Sequence, residues 1–481
     1  MKDAWCTFSA TKLARLIRER RATSSEVVEA HIERIRRVNP TLNAMVRDRF
    51  DEAREEARAA DERVRTQPPE SLPPLLGVPC SIKECFALRG MPNTSGLPSR
   101  VGRPAAGDAT AVARLRAAGA IPLGVTNVSE LCMWMETDNR VYGRTNNPYD
   151  PARIVGGSSG GEGAIVGAGG APFGLGSDIG GSIRMPAFFN GVFGHKPTGG
   201  LVPGSGQFPI AENAALRYLT TGPLCRRAED LWPLLRILAG PDGLDEGCTP
   251  TPLGDPARVD WRNVRVLSVE TNGVVSVAPD LLEGQRRACG ALARLGARVE
   301  PAEIPALRDS MLVWSSMLSA AGGRSFASLM GGGTEVSAAW ELLLWLARRS
   351  DHTLPAIGLA FLEKLPKWLP DKKAEYVARG RELRQELVSR LGPDGVMLYP
   401  SYPTTAPRHH RPLLPPFQWL YTALINVMEL PSTQVPLGLA DDGLPLGVQV
   451  VGVHGNDHLT IATALELEKA LGGWVPPPRW A

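Results

Sequence analysis

The densest chemistry in the sequence is a run of glycine and serine from Gly156 to Pro186. It opens Gly156-Gly157-Ser158-Ser159-Gly160-Gly161-Glu162-Gly163 and closes Ser177-Asp178-Ile179-Gly180-Gly181-Ser182-Ile183-Arg184-Met185-Pro186. Twelve of the twenty-six residues from Gly156 to Gly181 are glycine, a density that permits positive φ and close approach of backbone to a ligand. At the far end a serine follows two glycines, so successive N–H groups can converge near its hydroxyl. That geometry suits an oxyanion hole.

Three common motifs fit this region poorly. Gly156-x-Ser158-x-Gly160 has the nucleophile-elbow spacing, but that elbow needs a hydrophobic strand in front. Here the preceding residues are Asn146-Asn147-Pro148-Tyr149-Asp150-Pro151, a turn. Gly161-x-Gly163-x-x-x-Gly167 lacks the leading strand of a dinucleotide fingerprint, and Gly191 to Lys196 has no GxxxxGK[ST]. Of the seven histidines only His409-His410 are adjacent, and a loop pair is the expectation there rather than a metal site. No histidine base and no metal ligand set is indicated.

Taken together, these phrases resemble the amidase signature family, whose members hydrolyse amides with a Ser–Ser–Lys triad. The resemblance extends to Leu76-Gly77-Val78-Pro79-Cys80-Ser81-Ile82-Lys83-Glu84, similar to the family's lysine segment, and to Gly443-Leu444-Pro445-Leu446-Gly447-Val448-Gln449. It covers nearly the whole chain. Gly90-Met91-Pro92-Asn93, Ser129-Glu130-Leu131-Cys132-Met133-Trp134, Met185-Pro186-Ala187-Phe188-Phe189-Asn190 and Gly194-His195-Lys196-Pro197 look closest to the second type of fatty acid amide hydrolase. The departure from that branch is at the N-terminus, where no hydrophobic anchor is seen.

The resemblance implies Ser182 as nucleophile, Ser158 as bridging serine and Lys83 as base, with a cis bond between Gly157 and Ser158. It implies oxyanion donors at the backbone N–H groups of Ile179, Gly180, Gly181 and Ser182. Ser159, Asp178 and Arg184 would support the turn, and Cys132 and Met133 would line an acyl pocket. The chemistry is coherent: a serine hydroxyl needs a base to become a nucleophile, and a lysine serves as one only when neutral, which burial favours. Ser158 would pass the proton on and return it to the leaving amine. No cofactor is implied.

Around these residues the sequence alternates strand and helix patterns. Ser9 is placed to cap a helix through Arg20, and Thr23-Ser24-Ser25-Glu26 has capping-box spacing ahead of a helix that Asn39-Pro40 should stop. A charged helix is expected from Asp51 to Arg65, others over Asp108–Ala118, Asp280–Leu295 and Asp457–Leu471. Strands are expected at Ile121–Val125, Val264–Val269, Ala297–Val299, Val396–Tyr399 and Leu446–Val451. That alternation predicts an α/β fold, a mixed and mostly parallel β-sheet covered by helices on both faces. With no repeat and no linker, residues 1–481 read as one domain. Ser310 to Leu369 stands out, with four of the eleven tryptophans (Trp314, Trp340, Trp345, Trp368) and flanking Arg348, Arg349, Lys364, Lys367, Lys372 and Lys373. It is expected to be a helical insert, serving as core and subunit interface, as a cap over a lipophilic substrate or as a membrane-surface contact.

Composition sets the outer bounds. The 481 residues are 43% apolar and 21% charged, which excludes disorder. Lys+Arg 53 against Asp+Glu 50 is too even to point to nucleic acid. Seven cysteines without ligand spacing suggest neither disulfides nor zinc, and no run is long enough to span a bilayer. The expectation is a cytoplasmic serine amidohydrolase acting on a small-molecule carboxamide, fatty acyl or aryl, with a homodimer and peripheral membrane contact both open. Two rivals are the glutamine-hydrolysing subunit of a tRNA-dependent amidotransferase and a silent binding protein on an amidase fold.

Overall fold

The computed structural model describes residues 2–363, 370–413 and 418–480. Local signals at the N-terminus act as written. Ser9 Oγ accepts from Lys12 N–H at 2.9 Å, ahead of the Ala10–Arg18 helix. Thr23 and Glu26 form a reciprocal box, with Thr23 N–H donating to Glu26 Oε2 at 2.9 Å and Glu26 N–H to Thr23 Oγ1 at 3.1 Å. The helix they open runs Ser24–Leu42 and passes through Pro40 instead of stopping at Asn39-Pro40. Proline lacks one donor there, but Asn39 secures the exit: its Oδ1 accepts from the N–H groups of Ala44 and Met45, both at 2.8 Å. The chain then leaves through Asn43, left-handed at φ 49°.

Eleven strands form one sheet. They are β1 Met45–Asp48, β2 Pro79–Lys83, β3 Ile121–Thr126, β4 Phe173–Asp178, β5 Phe193–Lys196 and β6 Thr220–Cys225. The second half supplies β7 Arg265–Ser268, β8 Arg298–Pro301, β9 Gly395–Tyr399, β10 Ser432–Leu439 and β11 Pro445–Gly452. Their order across the sheet is β1-β3-β2-β4-β6-β5-β10-β11-β9-β7-β8. The sheet is mixed as expected, but a parallel majority is not found. Four pairings are parallel and six antiparallel. The middle of the sheet, from β4 to β9, is antiparallel throughout. One of its pairs, β10 with β11, is joined by a loop too short for the crossover that parallel strands need.

Helices pack on both faces. Along β9 the side chains alternate: Val396 and Leu398 join Leu292, Ile461 and Leu467 from the Pro279–Arg294 and Asp457–Leu471 helices. Met397 and Tyr399 join Val313, Leu387 and Leu424 on the other side. A period of two thus separates two cores.

The expected insert from Ser310 to Leu369 does not hold together as one unit. The Ser310–Ala321 helix turns Val313 and Met317, one helical turn apart, into the main core beside Leu383 and Leu387. The helices Phe326–Met330, Ala338–Leu346 and Leu354–Leu362 instead enclose a small core of their own with Leu97 and Leu131. Lys364, Lys367 and Trp368 lie outside the described residues. Among the described residues no helix is long and apolar enough to cross a membrane.

Three neighbouring strands, β3, β2 and β4, run parallel and end together, with Lys83 opposite Thr126 and Ile82 opposite Leu175. Ligand sites of α/β sheets lie beyond such carboxyl ends. Lys83, Ser177 and Asp178 arrive there by register alone.

Candidate active site

Lys83 is the last residue of β2 and has no exposed surface. Its Nζ donates to Ser158 Oγ at 2.8 Å, to Ser177 Oγ at 3.0 Å and to Ser177 O at 3.4 Å. Ser158 follows a cis peptide bond from Gly157. At Gly157 a Cβ would meet Trp134 O at 2.2 Å, so only glycine lets the two segments lie this close. Ser159 comes next, and the Gly160–Gly167 helix begins behind it. Ser159 N–H donates to Ser182 O at 3.2 Å and its Oγ to Ser177 O at 3.3 Å, fastening the bridging segment to the Ser182 turn. Among the described residues the hydroxyls of Ser158 and Ser182 share no direct hydrogen bond. Catalytic contacts of this kind commonly tighten only when substrate binds.

Ser182 is 8% exposed, against none for Lys83. A ligand therefore meets the serine and not the amine. The turn that carries it leaves β4 at Asp178. Gly181 has φ 116°, and a Cβ there would meet Thr422 Oγ1 at 2.1 Å, so the turn requires glycine. Asp178 gathers the turn's amides, accepting from Gly181 N–H at 2.6 Å and Ile183 N–H at 3.0 Å. Gly181, expected among the oxyanion donors, is thereby committed to Asp178. The N–H groups of Ile179, Gly180 and Ser182 have no protein acceptor among the described residues, and Ile179 and Gly180 are partly open to solvent.

Asp178 and Arg184 form a fully buried two-point pair, Nε to Oδ2 at 3.1 Å and Nη2 to Oδ1 at 3.0 Å. Burial alone would raise the Asp178 carboxyl, but the Arg184 guanidinium outweighs it and holds the group below the usual carboxylate range. The remaining donors of Arg184 go to Gln449 Oε1 at 2.9 Å and Asn426 Oδ1 at 2.6 Å, and Asn426 Nδ2 returns to Asp178 O at 2.8 Å. Neither Asn426 nor Gln449 was a sequence candidate as a support of this turn. The only signal for Gln449 was its place in the C-terminal phrase.

Beneath Lys83 lies another residue that was not among the sequence candidates. Glu162, fully buried, accepts from Ser81 Oγ at 2.5 Å and Thr126 Oγ1 at 2.7 Å. Burial pushes its carboxyl up to about 7 despite both hydroxyls. On the open side Trp314 Nε1 lies 3.5 Å from Ile179 O, and its ring meets Trp419 edge-on at 4.7 Å between centroids. Trp314 thus lies against the turn that carries Ser182, with Trp419 packed on its ring. The Trp-rich stretch was conspicuous in the sequence, but contact across 135 positions leaves no local pattern.

Cys132 and Met133 separate. Cys132, left-handed at φ 59°, is buried in the main core with Cys85 and Met135, whereas Met133 packs on the small core of Leu97 and Leu131. His409 and His410 sit in a loop and both bind Glu136, through His409 Nδ1 at 2.7 Å and His410 N–H at 3.0 Å. Among the described residues no cluster of three or more His, Cys, Asp or Glu is placed to hold a metal ion.

The arrangement supplies a buried amine, two hydroxyls and outward-facing amides at one point, the requirements of acyl transfer through a serine. A family model described as Amidase matches residues 26–461. The fatty-acid amide hydrolase 2-A of Danio rerio is 49% identical over 486 residues, covering 98% of this chain and 90% of the relative. The fatty-acid amide hydrolase 2 of Homo sapiens is 47% identical over 488 residues with the same two coverages, 98% and 90%. A solved bacterial aryl acylamidase of the amidase signature enzymes superposes with a TM-score of 0.78 at 27% identity, over 96% of each chain.

Proposed function

From the premise that this chain belongs to the amidase family and is an amide hydrolase, we propose that Ser182 is its nucleophile, Ser158 its proton bridge and Lys83 its base. Lys83 takes the Ser158 proton as Ser158 takes that of Ser182, whose Oγ adds to the substrate carbonyl carbon. The oxyanion that forms is received by the N–H groups of Ile179, Gly180 and Ser182. The proton then returns through Ser158 to the amide nitrogen, the C–N bond breaks and the amine leaves. Water repeats the sequence on the acyl-enzyme and releases the acid. The observation that carries this reading is the fully buried 2.8 Å contact between Lys83 Nζ and Ser158 Oγ, directly behind a serine that a ligand reaches.

The substrate class we infer is the fatty acyl amide. The similarity to the fatty-acid amide hydrolases supports it, and so does the Trp314–Trp419 pair beside the turn that carries Ser182. The helices of the small core expose Trp340, Leu343, Leu346, Phe361 and Leu362. This apolar rim suits an acyl chain arriving from a lipid surface, and a second copy of the chain would bury the same rim. The seven cysteines are buried and scattered along the chain without a disulfide-framework spacing, which supports a reducing compartment such as the cytoplasm.

The deciding experiment is Ser182→Ala, assayed for amide turnover and for labelling by a fluorophosphonate. Turnover and label should both vanish while the circular dichroism and unfolding midpoint stay those of wild type. Turnover like wild type in this variant overturns the assignment.

A further inference from the structure

Ser158 follows a backbone segment that is packed on a loop with no part in the hydrolysis as written above. Trp134, Met135 and Glu136 run directly against Gly157. A Cβ at Gly157 would meet Trp134 O at 2.2 Å, Met135 C at 2.9 Å and Glu136 N at 3.1 Å. The next residue, Thr137, is fully buried and donates from Oγ1 to Gly156 O at 2.8 Å. Residues 134–137 are therefore the bed on which the chain entering Ser158 lies.

Two buried carboxylates hold this bed, and they bind alike. Each accepts from a histidine Nδ1 and from the backbone N–H of the residue after that histidine. Glu130 takes His352 Nδ1 at 2.6 Å on Oε1 and Thr353 N–H at 2.7 Å on Oε2. Glu136 takes His409 Nδ1 at 2.7 Å on Oε1 and His410 N–H at 3.0 Å on Oε2. His409 Nε2 meets Pro151 O at 3.0 Å, so that ring is fixed at both ends. Thr353 caps the Leu354–Leu362 helix. Glu130 thus ties the loop to the small core, and Glu136 ties it to the stretch after β9. Between the two clamps Leu131 and Cys132 stand at φ 52° and 59°. Left-handed positions cost of order 1–3 kcal/mol each for such residues and persist only where the surroundings impose them. Hydrogen bonds to a carboxylate are about twice as strong as neutral ones, which suits the clamps to that task.

We propose that Glu130 and Glu136 are positioning residues for amide hydrolysis: their paired clamps hold loop 130–138 against Gly157 and so set Ser158 Oγ where it relays a proton between Lys83 and Ser182. Both act through the backbone that lies on Gly157, and the proposal rests on the reading of Ser158 as the proton bridge. A relay needs its middle hydroxyl within hydrogen-bond reach of both neighbours. Misplacement by about 1 Å costs about 100-fold in rate. The loss is unequal between substrates, because an amine needs the returned proton in order to leave and an ester's alkoxide needs it less. A loosened clamp therefore lowers amide turnover more than ester turnover, and acts on kcat while leaving KM little changed.

The test compares Glu130→Leu and Glu136→Leu with Glu130→Gln and Glu136→Gln in the full chain, on a matched amide–ester pair. Leucine removes both acceptors. Glutamine rebuilds the clamp, since its carbonyl accepts from the backbone N–H and its amide donates to a neutral ring nitrogen. Rates are counted per Ser182 that takes a fluorophosphonate at completion, which leaves unfolded chains out. Each leucine variant should lose about 100-fold in amide kcat, with the amide-to-ester ratio down at least about 10-fold. The glutamine variants should stay near wild type. Thr137→Val removes only the Oγ1 bond to Gly156 O and keeps the side chain's shape. It should lower the same ratio, and it decides the matter if the leucine variants give no folded protein. A ratio like wild type, whether both rates are kept or both fall alike, would assign the loop to the fold alone and overturn the proposal. Ser158→Ala with a wild-type ratio would instead count against the proton-bridge reading.

Discussion

In the proposed mechanism, replacing Lys83 by alanine takes away both the base for attack and the source of the proton that the amine needs to leave. An ester's alkoxide leaves without that proton more readily than an amide's nitrogen does. Lys83→Ala should therefore depress amide turnover by at least about 100-fold more than ester turnover, measured as kcat/KM on a matched amide–ester pair. Equal losses on the two would remove the relay through Ser158. Glu162 makes a separate, thermodynamic prediction. Its carboxyl is raised from 4.5 to about 7 by burial, so between those values the unfolded chain releases a proton that the folded chain keeps. Stability is complete below about 4.5, falls as pH rises, and levels off above about 7. The full span is about 3 kcal/mol. Glu162→Gln should flatten this slope in denaturant midpoints taken from pH 4.5 to 8. A slope matching wild type would show that another group is responsible.

Helices and strands differ in how openly the sequence declared them. Ser9 and Thr23 act on donors within three residues, so their caps were legible without any tertiary knowledge. The exit at Asn39–Asn43 was not, because it depends on a side chain bonding forward to Ala44 and Met45 across a proline. Strand β4, Phe-Gly-Leu-Gly-Ser-Asp, escaped notice because its glycines carry no hydrophobic alternation; its fully buried backbone is made a strand by partners on both sides. The proximity of Lys83 and Ser158 had no local signal either and entered only through resemblance. Antiparallel pairing in the middle of the sheet is likewise a matter of partners and not of pattern. The three helices from Phe326 to Leu362 carry a prediction of their own. Trp345 packs into their small core, while Trp340 is 60% exposed on the same helix. Exchanging both for serine should raise KM several-fold for long acyl amides and leave short ones unchanged, if these helices guide the acyl chain. A parallel change on both substrates, or dissociation of an oligomer alone, assigns them to packing.

At the scale of the whole molecule, the turn that carries Ser182 is secured by residues far along the chain. Arg184 joins Asp178, Asn426 and Gln449 in one fully buried network. Removing one member of a buried pair leaves the other charge uncompensated, at about 3–5 kcal/mol. Arg184→Met should show that cost in chemical denaturation, and the double change Asp178→Asn with Arg184→Met should recover part of it. A neutral Arg184→Met would mean that the pair contributes little. The same network has a consequence for biosynthesis. A growing polypeptide carries Lys83, Ser158 and Ser182 well before it carries Asn426 and Gln449. Until translation nears its end, Arg184 lacks two of its three anchors, and the turn that carries Ser182 lacks their support. If Ser182 is the nucleophile as proposed, the nascent chain should be mute, with hydrolysis beginning only once the last strands have been made and have closed the sheet.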